Sequence, residues 1–243
     1  MTKYQKNAKL NQTLFGYFKF KLSLKIKKLS KIQNRIINNL HKKFKMIKPT
    51  KIKLTNSCQN WEILANQNEY LELKLGAKNN LNFVQKDNSS LKICIPVGQL
   101  EFDLDLLVWQ IGKNCFSEIK IWGKIGNKKN VKIKIWVFHL GISGQSLQKS
   151  AFLVEGKLDL SGTIVIKERN CQGVFENKNL ILGGIAQVEP FLEIYELPKR
   201  CEHSTTTGNL EPENLQYLNS RGLDLEQSKK LIISQFLEEF KKF

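Results

Sequence analysis

Near its C-terminal end the chain carries the run CEHSTTTGNLEPENLQYLNSRGLDLEQ, residues 201–227, which sets a cysteine, a carboxylate and a histidine side by side. In an extended segment side chains two apart point to the same side, so Cys201 and His203 share a face and Glu202 takes the other. A thiolate and an imidazole so placed can ligate a soft or borderline metal. Alternatively the imidazole can lower the thiol pKa and make Cys201 a nucleophile. Two donors do not close a metal site. Taken alone, the pair reads more readily as a half-buried cysteine beside a hydrogen-bonded histidine.

The other reactive residues carry less. Cys58, Cys94, Cys115 and Cys171 are scattered, the total of five is odd, and no CxxC occurs, so no disulfide framework is expected and a reducing, cytoplasmic compartment fits. His139 alternates with Val137 and reads as a satisfied core or rim histidine. Cys94 stands between Ile93 and Ile95, out of phase with them, and is expected to face the opposite side. The turn GKIGNKKN at 123–130 lacks the Gly-Lys-Ser/Thr phosphate loop, so ATP hydrolysis is expected in a partner.

The elements that position these residues read as strands. YLELKLG, SLKICIPV, EFDLDLLVW, EIKIWGKIG, VKIKIWVFHLG and KLDLSGTIVIKE mostly alternate apolar with polar, the mark of strands with one buried side. Such strands suit a sandwich, a barrel or a solenoid. Asn-Gly and Asp-Gly hairpin turns are absent, and the corners are Gly and Asn, which leans towards a solenoid. After Gly208 the pattern turns helical. Pro212 opens a first helix that Gly222 stops, and Asp224 with Gln227 forms a capping box for a second. Its positions Leu225, Ile232, Ile233, Phe236, Leu237 and Phe240 make an apolar stripe that needs a cover.

Net charge is +17 over 243 residues, and its distribution is uneven. Residues 1–61 hold sixteen Lys and Arg and no acid, whereas 23 basic residues elsewhere meet 22 acidic ones. The charge therefore belongs to a basic N-terminal extension over 1–61, in which Ile26, Leu29, Ile32, Ile36, Leu40 and Phe44 recur at helical spacing. Such an arm can serve nucleic acid, a membrane surface or organelle import to a stroma or matrix. An AT-rich genome also explains 35 Lys against 4 Arg. No RNA-binding or zinc-finger signature accompanies the arm, so no specific nucleic acid is expected. No apolar run is long enough to span a membrane. A β-core over 62–200 and a tail over 201–243 complete the expected organisation.

The run PFLEIYELPKRCEHSTTTGNLEPENLQYLNSRGLDLEQSKKLIISQFLEE resembles the C-terminal region of the SufB/SufD family, scaffold components of iron–sulfur cluster assembly. The family's P-x-L-E-I strand, Cys/Glu-x-His segment and T-x-G-x-L/I turn correspond to Pro190–Ile194, Cys201–His203 and Thr206–Leu210. Its helix ending F/Y-Y-L-x-S-R-G and its final amphipathic helix correspond to Tyr217–Gly222 and Asp224–Phe240. The resemblance is specific over 160–240 and diffuse over 69–159. It implies a right-handed parallel β-helix with C-terminal helices and a non-catalytic, SufD-like scaffold. The implied partners are a SufC-type ABC ATPase and a SufB-type subunit or a second copy of the chain. It also implies a transient iron–sulfur cluster at a subunit junction, with Cys201 and His203 as metal ligands and Glu202 beside them. The sulfur-accepting cysteine of SufB would fall near Asn177 and is missing; Cys171 lies nearby. Tyr217, Leu218, Ile232, Ile233, Phe236, Leu237 and Phe240 are the residues expected to meet a partner. A Cys/His thiol enzyme, or a protein binding nucleic acid or a membrane surface through its arm, are the alternatives.

Overall fold

The computed structural model describes residues 50–53, 57–98, 101–210 and 212–241. The arm expected over 1–61 lies mostly outside the described residues. Among the described residues thirteen strands alternate between two sheets. Sheet A contains β1 (Thr50–Lys53), β3 (Asn68–Lys74), β5 (Ser90–Val97), β7 (Phe116–Ile125), β9 (Gln145–Val154), β11 (Gln172–Ile181) and β13 (Arg200–Asn209), in that spatial order. Sheet B contains β2 (Ser57–Ile63), β4 (Lys78–Gln85), β6 (Phe102–Gln110), β8 (Asn130–His139), β10 (Lys157–Ile166) and β12 (Ile185–Ile194), with β2 and β12 at its ends. The pairings within both sheets are parallel. This is a β-solenoid, as the hairpin-free sequence and the resemblance led us to expect. Its strands run from Thr50 to Asn209, beyond the 62–200 core on both sides. The short runs TKIK and SCQNWEI join it because their backbones find a neighbouring coil to pair with, whatever the charge of the chain before them.

Alternation puts every second side chain into the space between the sheets. Leu71, Ile93 and Ile119 form one inward row of sheet A; Phe83, Val108, Val137 and Ile164 form one of sheet B. Each such side chain, fully buried, contributes about 1.5–3 kcal/mol relative to exposure. In the neighbouring inward row of sheet B, Leu81, Leu106 and Ile135 are followed by Gly162, which has no side chain, and the Phe175 ring from sheet A occupies the room; a Cβ at 162 would collide with it. Many outward positions carry the polar partners of the alternation, and on sheet A some of these are buried. There Glu118 accepts Lys92 at 3.2 Å and Lys120 at 3.4 Å, while Cys94 meets the Tyr70 hydroxyl at 3.8 Å. Cys94 thus faces away from Ile93 and Ile95, as its phase implied, and burial pushes its thiol up to about 12.

One corner of the coil is a left-handed residue repeated along the axis. Asn66, Asn88, Asn114, Ser143 and Asn170 have φ of 63°, 56°, 55°, 61° and 61°. Asparagine tolerates this region because its short polar side chain bonds locally. Here it also bonds between coils: Asn88 Nδ2 donates to Asn66 Oδ1 at 3.3 Å and Asn114 Nδ2 to Asn88 Oδ1 at 3.0 Å.

Two helices follow the last coil: α1 (Pro212–Ser220) and α2 (Leu225–Lys241). The expected capping box is formed, with Gln227 N donating to Asp224 Oδ1 at 2.7 Å and Asp224 N to Gln227 Oε1 at 3.1 Å. Gly222, at φ 92°, ends α1, and Ser228 Oγ donates to Asn219 Oδ1 at 3.2 Å to tie the two helices. No described helix is long and apolar enough to cross a membrane.

The corner sets a test of the fold. Asn114→Ala keeps the left-handed backbone but loses both its tolerance and the ladder bond. It should lower stability by about 1–3 kcal/mol in urea unfolding, with Asn114→Gly intermediate.

Candidate functional site

Cys201, Glu202 and His203 lie on β13, the last strand of sheet A, which pairs with β11 on one edge. Register places Cys201 beside Gly173 and His203 beside Phe175, which is an inward residue. Both side chains therefore lie on the inward side of the last coil, where no further coil of the described residues covers them. Cys201 is partly buried against the core, and His203 is exposed. Glu202 falls on the outward side, where Arg200 Nη2 donates to its Oε2 at 2.6 Å. That bond from Arg200 holds the Glu202 carboxyl below its usual range.

Electrostatics separates the two chemistries left open by the pair. Burial, then the Glu202 charge, pushes the Cys201 thiol up. An activated nucleophile needs the opposite, a positive surround that favours thiolate. A thiol held protonated is still a competent metal donor, because a bound cation displaces the proton. Among the described residues no group of three or more His, Cys, Asp or Glu side chains is placed to hold a metal ion. What the chain offers here is a two-donor set at an open end.

The position near Asn177, where a SufB-type cysteine would fall, holds a buried amide. Asn177 Nδ2 donates to Ser150 Oγ at 2.8 Å, and Asn179 Nδ2 donates to Asn177 Oδ1 at 2.6 Å and to Thr207 Oγ1 at 3.3 Å. This network links β9 through β11 to the outermost strand β13. The sequence signal for it was the polar residues Ser150, Asn177 and Asn179 at inward positions of the alternation. Cys171 does not approach this position: it sits in the corner before β11, fully buried, with Sγ donating to the Gly141 carbonyl of the preceding coil at 3.4 Å.

The residues expected to meet a partner divide. Tyr217 is exposed and Leu218 partly buried, and α1 buries none of its residues. Ile232, Ile233, Phe236 and Leu237 are partly buried, and α2 lies across β7 and β9 of sheet A. Phe240 belongs to α2, and its side chain lies outside the described residues.

The model of the SufBD core domain of the SUF system for FeS cluster assembly matches residues 79–236, from β4 to the apolar stripe of α2. The chain belongs to the SufBD family. It is 31% identical over 101 residues to the iron–sulfur cluster assembly protein SufD of Escherichia coli (strain K12), covering 40% of this chain and 24% of that protein. It is 26% identical over 194 residues to an iron–sulfur cluster assembly SufBD family protein of Pyrococcus horikoshii, covering 77% and 41%. The chain thus spans about a quarter to two fifths of these relatives.

His139, expected to be a satisfied core or rim histidine, is fully buried at the end of β8, with Nε2 2.9 Å from Ser146 Oγ and Nδ1 without a hydrogen-bond partner. It occupies the rung that Gln110 and Gln85 fill in the two preceding coils of sheet B. Burial lowers its pKa to about 4. The folded state thus favours the neutral ring, and the unfolded state binds the proton below about 6.5. The stability this contributes is complete above pH 6.5 and is lost as pH falls towards 4, by roughly 3 kcal/mol. His139→Gln, matching the neighbouring rungs, should remove that component of the slope. The check is the difference between wild-type and variant denaturation midpoints at pH 7 and pH 4.5.

Proposed function

We propose that this chain is a SufD-like scaffold subunit of the SUF iron–sulfur cluster assembly machinery, working without catalysis of its own. Its partners are a SufC-type ABC ATPase, and a SufB-type subunit or a second copy of the chain. The reading rests above all on one observation within a SufBD-family fold: Cys201 and His203 share the inward side of the uncovered last coil. A soft thiol and an imidazole suit iron or bridging sulfide. Because the pair supplies two donors, the remaining ligands come from the partner that meets this end. A transient cluster is then the cargo of a junction. Glu202, paired with Arg200 on the other side, contributes charge near the thiol and acts as a ligand only if that ion pair opens. The compartment is a cytoplasm, or an organelle stroma or matrix if the basic arm is a targeting segment. The stripe of α2, with Tyr217 and Leu218 of α1, is the surface that meets the ATPase.

The test is the Cys201→Ala, His203→Ala double variant, purified anaerobically with its partner subunits. Both residues lie at the rim of the core, so the melting midpoint should stay within a few degrees of wild type. Iron and acid-labile sulfide in the complex should fall at least severalfold. Wild-type cluster content would remove the site. A large loss of stability with normal cluster content would show Cys201 to be a packing residue instead. Independently, removing residues 211–243 should abolish capture of the ATPase while leaving the β-type circular dichroism spectrum intact.

A further inference from the structure

The outside of sheet B holds a groove that the scaffold reading does not use. From β2 to β8 the outward row Asn60, Asn82, Leu107 and Trp136 runs in register along the solenoid, and its side chains grow from amide to indole. Beside it Trp109 stacks on Phe138, with ring centroids 4.0 Å and planes 6° apart. These two are register neighbours on adjacent strands, so their ring faces look along the solenoid axis. Trp136 is parallel to Phe138 within 10°, so one of its faces also looks along the axis, over the smaller Leu107. That step leaves an open groove of about 650 Å³, within the size range of small-molecule sites. It reaches across three coil steps, roughly 14 Å. Of the described helices, α2 lies across β7 and β9 of the other sheet.

The wall opposite the aromatic rings is polar. Asn80, Asp105 and Lys134 follow one another there in register. Asp105 and Lys134 are neighbours on adjacent strands, yet among the described residues they form no ion pair, and the Asn80 amide makes no hydrogen bond. Elsewhere on the same face Lys157 and Asp159 do close, to 3.2 Å. One side of the groove therefore offers an open carboxylate, an open ammonium and an amide, and the other offers apolar rings. The two charges cancel, and the next outward row, Lys78, Asp103, Lys132 and Asp159, alternates in sign. With no surplus of either sign, the groove suits neither a phosphate nor a cation. A hydroxyl both donates and accepts, so adjacent hydroxyls can satisfy a carboxylate and an ammonium side by side without net charge. We propose that this groove is a carbohydrate-binding site that takes the end of a neutral sugar chain. The C–H face of its terminal ring stacks on the open face of Trp136, and its hydroxyls meet Asp105, Lys134 and Asn80. The site stands apart from the Cys201–His203 end and does not rest on the scaffold reading.

Tryptophan fluorescence of the full chain reads the site directly, since Trp109 and Trp136 line the groove while Trp122 lies on sheet A. Cellotriose, maltotriose and chitotriose are titrated in turn. At least one should give a saturable change. Trp136→Ala should abolish that change, and Asp105→Asn, which keeps the shape and removes the charge, should weaken binding severalfold. Adenosine monophosphate, a planar ring that carries a phosphate, should not compete. No saturable change with any of the three sugars would overturn the proposal. A change that survives both substitutions would also overturn it, by placing the sugar elsewhere. Displacement of the sugar by adenosine monophosphate at equal or lower concentration would overturn the assigned ligand class. Circular dichroism checks that each variant is folded. If Trp136→Ala unfolds the chain, Asp105→Asn decides alone, and an unchanged titration in that variant removes the site.

Discussion

Everything in this molecule depends on coil-to-coil pairing. Each strand satisfies its backbone by bonding to the strand one coil before and one coil after, and each inward side chain is buried by the same two neighbours. The arrangement is self-sufficient in the middle and deficient at its ends. β13 has β11 on one edge and no described strand on the other, so its inward row from Cys201 to Thr207 is a core row with half its cover missing. The placement of the candidate site is a consequence: a soft donor pair stands where the solenoid cannot complete itself.

The same constraint explains the polar residues found inside. Along the corner, Gln85, Gln110 and His139 stand in register, and each bonds to a backbone carbonyl or serine hydroxyl: Gln85 to the Phe116 carbonyl, Gln110 to Ser117 and the Gln145 carbonyl, His139 to Ser146. Toward the other end of the strands Ser150, Asn177, Asn179 and Thr207 do the same from β9 to β13. Each such bond offsets part of the cost of burying its group, although Gln85 Oε1, Gln110 Oε1 and His139 Nδ1 keep no partner, and the bonds define register more sharply than interchangeable Leu and Ile rows can. On the outside of sheet A, Lys92 and Lys120 close on Glu118, so that burial of each charge is partly offset by its partner. Desolvation still lowers the Lys120 pKa.

Family membership and the geometry of the last strand bear on each other through this architecture. A scaffold that must assemble a cluster between subunits gains from a ligand set that is incomplete in one chain, because a complete set would retain the metal. Under the proposed reading the raised Cys201 thiol fits the same logic, since such a thiol would give up its proton only to an incoming cation.

The sequence by itself determined the elements. Period-two alternation announced strands, the Asn corners announced loose turns, Pro212, Gly222, Asp224 and Gln227 set the helix boundaries, and the phases of Cys94 and of the Cys201–His203 pair gave the correct sides. These are local properties, written in backbone preference and side-chain direction over a few residues. The tertiary structure alone decided where the chain begins to count as solenoid, because TKIK before the first acid becomes a strand only when β3 lies beside it. It alone joined the inward Asn177 and Asn179 to Ser150 and Thr207 on the neighbouring strands. It alone laid the stripe of α2 on β7 and β9, for an amphipathic helix specifies that it needs a cover and not which surface supplies it. Those outcomes depend on neighbours a whole coil or more away in sequence, 22 and 26 residues at the asparagine corner, and no local pattern encodes them.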